Sequence, residues 1–150
     1  MLLLGTFDSD GNATINIRVN GNSGFKNYTA ILDTGFSGFV ALPIFEMVEL
    51  GLKIEGAANV TLGDGSTTVS HLSSGTITLG SQTETGTVVL DENSTDVLVG
   101  MALLREFKLA LILTNSTVVL YDEHETIDAI AGFIGAAPQG QPNTAPTTTE

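Results

Sequence analysis

Apolar and polar residues alternate with a period of two along much of the chain, in runs too short for most helices. From Thr14 to Val19 the apolar set is Ile15, Ile17 and Val19, and the polar set is Thr14, Asn16 and Arg18. That is the pattern of a half-buried strand. Further strands are expected over residues 1–7, Tyr28–Leu32, Phe39–Leu42, Thr76–Leu79, Thr87–Leu90 and Val97–Val99. Asn59–Leu62 and Thr67–Leu72 flank Gly63-Asp64-Gly65-Ser66 and read as a hairpin with a small polar tip. Leu109–Leu113 and Val118–Tyr121 form another hairpin, turning at Asn115-Ser116, and Asp10-Gly11 marks a third turn. Helical spacing is confined to three places. Ile44, Phe45, Val48 and Leu52 follow Pro43, which suits a first turn, and Gly51 suits a C-cap. Met101–Phe107 is a second short helix. Ile127, Ile130, Ala131 and Ile134 give residues 123–137 an amphipathic helical pattern, weakened by Gly132 and Gly135. From Pro138 onward Pro, Gln, Thr and Gly leave no apolar face to bury, and 138–150 is expected to be a disordered tail.

The 150 residues suit one domain with a real core. There are no cysteines, so disulfides and thiolate metal sites are excluded. The formal charge of −12 argues against nucleic acid and anionic membrane as partners. No apolar run approaches the ~20 residues of a membrane span, and no basic segment precedes Met1-Leu2-Leu3-Leu4, so a cytoplasmic location is expected. Asn-X-Thr sequons at Asn12, Asn27, Asn59, Asn93 and Asn115 are then read as products of Asn and Thr in turns.

The chemistry lies in Ala30-Ile31-Leu32-Asp33-Thr34-Gly35-Phe36-Ser37-Gly38. An apolar strand runs into a carboxylate, and a carboxylate without a partner is costly to bury. Downstream, Val97-Leu98-Val99-Gly100-Met101-Ala102-Leu103-Leu104 pairs an apolar strand with a glycine and a short helix. Together the two stretches resemble the paired motifs of retropepsin-like aspartic peptidases of the small, single-domain bacterial or archaeal kind. The resemblance covers about residues 11–122, within a domain expected to span 1–122.

The resemblance implies an all-β, closed-barrel acid-protease fold with one or two short helices, and an endopeptidase that needs no metal and no cofactor. Its catalytic residue would be Asp33, and its substrate a polypeptide. The chain has a single Asp-Thr-Gly, so the carboxylate pair requires a homodimer, each subunit contributing Asp33. Thr34 would lock the two loops together, Gly35 would admit the substrate backbone, and Ser37 would support the loop. Leu98, Val99 and Gly100 form the second motif. Gly63, Asp64, Gly65 and Ser66 would be the tip of a flap that closes over substrate. Two departures from retroviral members stand out: Ser37 where they carry an acid, and Met101 where they carry Arg.

Other chemistry is weaker. Asp8, Asp10 and Asn12 have a calcium-loop spacing, but Gly11 comes too early and position 19 is Val, so a hairpin turn is favoured. His71 and His124 lack neighbours for metal or triad chemistry, and His71 is expected at a surface or edge. Asp122, Glu123 and Glu125 read as a solvated acidic face. Two rival readings stand beside the peptidase. One is a catalytically silent retropepsin-like module for dimerisation or peptide binding; the other is an unrelated β-sandwich binding protein with Asp33 in a loop.

Overall fold

The computed structural model describes residues 1–61 and 63–134. Leu62, the end of the 123–137 segment and the tail expected over 138–150 lie outside the described residues. Among the described residues, ten strands and three short helices follow one another. Strands β1 (Leu2–Phe7), β2 (Ala13–Asn20), β3 (Phe25–Leu32) and β4 (Val40–Pro43) precede helix α1 (Glu46–Leu50). Then come β5 (Gly56–Thr61), β6 (Thr67–Leu79), β7 (Gln82–Asp91), β8 (Leu98–Val99), α2 (Met101–Glu106), β9 (Ala110–Leu113), β10 (Val118–Tyr121) and α3 (Ile127–Ile134).

Six strands close on themselves in the order β6-β7-β4-β8-β3-β2, with β2 returning to β6 through Arg18↔Thr78, Val19↔Ile77 and Asn20↔Thr76. Closure removes the unpaired edges that an open sheet would expose. Strand β5 is added outside β6, and β1, β10 and β9 extend the sheet beyond β2, leaving β9 at its edge. Alternation does what period two requires: Ile15, Ile17 and Val19 are buried inside the barrel while Asn16 and Arg18 are exposed. Leu42, Ile77, Leu79, Val88, Leu90, Val99 and Leu103 are among the other fully buried side chains.

Several local expectations change. Strand β6 is one continuous strand of thirteen residues, not two. Pro43 ends β4 instead of opening α1, and Gly51 caps α1 in the left-handed region at φ 68° as its position implies. The amphipathic segment contains a third helix, α3. Asn27 and Asn59 lie within β3 and β5, so turn formation does not account for those two sequons. Asp8 behaves as a turn residue: its carboxylate accepts from the N–H of Asp10 and Asn12 at 2.9 Å each, which lowers its pKa, the Asn12 bond first. Among the described residues no group of three or more His, Asp or Glu could hold a metal ion. No described helix is long and apolar enough to cross a membrane.

The acidic run after β10 is not a solvated face throughout. Asp122 is buried, and its Oδ1 accepts from the Met1 ammonium at 2.6 Å while Glu125 stands 2.8 Å from the same group. Helix α1 is tied down by a second polar cluster. Its buried Glu46 accepts from Tyr28 Oη at 2.6 Å and from Lys26 Nζ at 2.7 Å. Burial alone would raise the Glu46 pKa, but these two donors lower it. Burial and the same carboxylate push the Tyr28 hydroxyl well above its usual range.

Candidate active site

Strand β8 is only two residues long, and it organises the site. It lies between β3 and β4, parallel to the first through Ile31↔Leu98 and Leu32↔Val99 and antiparallel to the second through Val40↔Val99 and Ala41↔Leu98. The strand that enters the Asp33 loop and the strand that leaves it are therefore held by one neighbour. The Asp33 N–H donates to the Val99 carbonyl at 2.9 Å, and the Phe36 N–H closes the turn onto the Asp33 carbonyl at 3.1 Å. The second motif is thus the floor of the first.

The connection continues past β8. The N–H groups of Gly100, Met101 and Ala102 donate to the carbonyls of Phe39, Phe36 and Gly38 at 3.1, 2.9 and 3.1 Å. Loop 33–39 so satisfies donors at the start of α2, which otherwise lack partners. Phe36, 5% exposed, is packed where Gly38 and Gly100 leave room: a Cβ on Gly100 would come within 2.6 Å of the Phe36 ring. Phe36 also joins Ala41 and Val89 in a small apolar cluster with Leu72 and Leu98. The pairings Leu72↔Val89, Ala41↔Val89 and Ala41↔Leu98 place these residues in one row across β6, β7, β4 and β8, on the face opposite the barrel core.

Asp33 is half-buried at the rim of this row, not sealed inside the barrel, and Thr34, Gly35 and Ser37 are exposed or nearly so. One Asp33 carboxylate oxygen accepts from the Gly35 N–H at 2.9 Å, which orients the group. The tip of the β5–β6 hairpin comes to the same loop: a methyl group on Gly35 would lie 3.4 Å from the Gly63 Cα. At that tip the Ser66 hydroxyl and N–H donate to Asp64 Oδ1 at 2.6 and 2.8 Å, and the hydroxyl first, the N–H second, lower the Asp64 pKa. Gly65 adopts φ 86°, a conformation suited to glycine at a tight turn. His71 lies farther along β6, half-buried, with Glu92 at 3.9 Å.

Thr34 also lines an open, largely apolar groove of about 430 Å³, with Met101, Leu104, Leu109 and Leu111 as its apolar wall and Arg105 and Lys108 beside them. Neither this groove nor the packing role of Phe36 was legible in the motifs. An apolar residue inside a glycine-rich loop was the available signal for Phe36. The groove offered none, because it is assembled from a turn, a helix and an edge strand.

Comparison with known proteins follows the same residues. A family model described as aspartyl protease matches residues 15–103, which span the Asp33 loop, the β5–β6 hairpin and the Gly100 motif. No curated protein sequence matches. A solved structure, a retropepsin-like aspartic protease from Rickettsia conorii, superposes with a TM-score of 0.58 at 19% sequence identity, covering 80% of this chain and 90% of that one. The architecture is therefore the retropepsin-like fold, as the paired motifs implied.

Proposed function

The chain belongs to the aspartyl protease family, and we propose that it is a homodimeric endopeptidase whose water is activated between two Asp33 carboxylates. The observation that carries this reading is the placement of Asp33: half-exposed, oriented by Gly35, at the rim of an apolar row, with one copy per chain. A lone carboxylate cannot act as both acid and base at once. Two of them across a twofold axis can, because like charges so close share one proton. The ionised Asp33 takes a proton from water as its oxygen attacks the peptide carbonyl, and the protonated one donates to the carbonyl oxygen. The tetrahedral intermediate then collapses, the amine leaving with a proton from the pair.

Two features support a partner subunit on this side. The groove beside Thr34 is apolar and open, and β9 presents an unpaired edge next to it, Leu111 belonging to both. An antiparallel contact of β9 with its own copy is compatible with a twofold axis. Thr34 would then meet its counterpart, and the hairpin tips would close over the bound polypeptide from both subunits.

The test joins assembly to activity. Sedimentation equilibrium is expected to give a dimer, and Asp33→Asn is expected to abolish cleavage of an unfolded polypeptide while the dimer persists. Cleavage is expected to be fastest in mildly acid solution, where the pair holds one proton. Equal activity in wild type and Asp33→Asn would rule out the carboxylate pair. A stable dimer that cuts nothing would favour the silent dimerisation module instead.

A further inference from the structure

Five of the nine asparagines are followed two residues on by Thr, with no Pro between: Asn12, Asn27, Asn59, Asn93 and Asn115. Twenty threonines in 150 residues would give about one such pair by chance. Strand alternation, which puts every second residue on one face, accounts for Asn27 with Thr29 and for Asn59 with Thr61. It does not reach Asn93, in the connection between β7 and β8, or Asn115, in the turn between β9 and β10. The fold does not use these two side chains either. Asn12 gives its amide N–H to Asp8 at 3.2 Å and Asn27 accepts from Arg18 Nε at 3.3 Å, so both of those carboxamides are engaged. The other two turns are held by different groups. The Asn93 backbone N–H donates to Asp91 Oδ1 at 2.8 Å. Across the second turn the Thr114 N–H donates to the Thr117 carbonyl and the Thr117 N–H to Thr114 Oγ1, both at 3.0 Å. Asn93 and Asn115 are exposed, and among the described residues neither carboxamide has a hydrogen-bond partner.

We propose that Asn93 and Asn115 are N-glycosylation sites, each taking one oligosaccharide on its Nδ2. Asn-X-Thr is the acceptor that an oligosaccharide transferase reads, and it is used on surface loops. In the transfer Nδ2 forms a bond to the anomeric carbon of the sugar. The bond from that carbon to the phosphate of a lipid-linked donor breaks, the phosphate leaves with the electron pair, and the amide proton passes to a base of the transferase. Such transferases act on the outer side of a membrane, so the proposal replaces the cytoplasmic location expected from the sequence with an extracytoplasmic one. Residues 138–149, rich in Pro and Thr, have the composition of stalks that carry sugar outside cells. A bulky, hydrated group on either loop displaces no buried contact, and it covers the kind of exposed loop where proteolytic nicking concentrates.

The experiment is peptide mapping by mass spectrometry of the full-length protein purified from the cells that make it naturally. Peptides containing Asn93 and Asn115 are expected to carry a sugar mass on the asparagine in most copies. Thr95→Ala and Thr117→Ala, made in the same cells, keep each asparagine and remove the hydroxyl that completes its acceptor sequence. Each variant is expected to lose the sugar at its own site and keep it at the other, with an unchanged circular dichroism spectrum. Asp33→Asn is expected to carry both sugars, since the proposal is independent of the endopeptidase reading. Bare asparagine at both positions in the wild type, sugar confined to Ser and Thr hydroxyls, or sugar on the asparagine that persists in the Thr variants would overturn the proposal.

Discussion

Gly35 and Gly100 belong to the same site, yet a methyl group would cost them different things. On Gly100 it would run into the Gly38 carbonyl oxygen and lie 2.6 Å from both the Phe36 carbonyl oxygen and ring. Backbone cannot move there without releasing α2 from the Asp33 loop. Gly100→Ala is expected to lose about 2–3 kcal/mol of stability, as overpacking at a rigid contact does, read from urea denaturation. On Gly35 the contacts would be 3.2 Å to Asp33 Oδ1 and 3.4 Å to the Gly63 Cα, both on groups that can give. Gly35→Ala is expected to stay within about 1 kcal/mol in stability and to lose at least tenfold in cleavage rate, because it displaces the carboxylate and the hairpin tip together. An equal stability loss in the two variants would contradict this division. The Asp33-Thr34-Gly35 turn was legible in the sequence because it is made of consecutive residues. Phe36 was not, because its role depends on meeting residue 100 across a register that no local pattern encodes.

Periodicity read most strands correctly and misread the places where glycine serves packing instead of turning. Ser73-Ser74-Gly75 looks like a break, yet β6 runs through it opposite the centre of β7, with Gly75 paired to Gly86. The Phe39 ring lies against Gly86, where a Cβ would come within 2.5 Å of it, and a Cβ on Gly75 would press on Val88 at 2.9 Å. The glycine pair makes room for an aromatic and a branched side chain. Pro43 misled in the same way: it can open a helix, but the Ile44 N–H donates to the Asp91 carbonyl at 2.8 Å and keeps the segment alongside β7. The hairpin β5–β6 has a different standing from the barrel strands. Strand β5 pairs with β6 alone, at the end of the sheet. Amides of Gly56–Thr61 are therefore expected to exchange with deuterium on the order of a hundredfold faster than those of Ile15–Val19, as read by mass spectrometry after brief labelling. Equal protection would mean that the hairpin does not open apart from the barrel.

The whole molecule shows what short-range pattern cannot carry. Its β class and strand positions followed from alternation, and the barrel followed from family resemblance. The parallel pairs β3–β8 and β4–β7 and the closing pair β2–β6 join segments distant in sequence, and each segment alone reads like any other strand. The same distance hid the role of Asp122, expected in solvent but found against the Met1 ammonium. That hydrogen bond first, opposed by burial and helped by Gln82, lowers the Asp122 pKa to about 2. A depressed carboxylate pKa contributes stability above its unfolded value of ~3.9 and loses it as pH falls through the folded one. Asp122→Asn is therefore expected to lower Tm at pH 6, with the gap to wild type closing between about pH 4 and pH 2. A gap that persists unchanged at pH 2 would assign Asp122 a packing role without its charge.

The wedge formed by β8 sets the order in which this chain can mature. Leu98 and Val99 must reach the cleft between β3 and β4 before the Asp33 N–H has its acceptor, and they are made long after Asp33. Closing so long a segment costs chain entropy before any contact offsets it, which makes such pairings late events in folding. On a ribosome the order is stricter, since residues still in the exit tunnel cannot pair at all. A half-made chain can hold β1–β3 as antiparallel hairpins, with the Asp33 turn unsupported. The carboxylate therefore acquires its floor only after β8 has emerged, well after the turn that carries it.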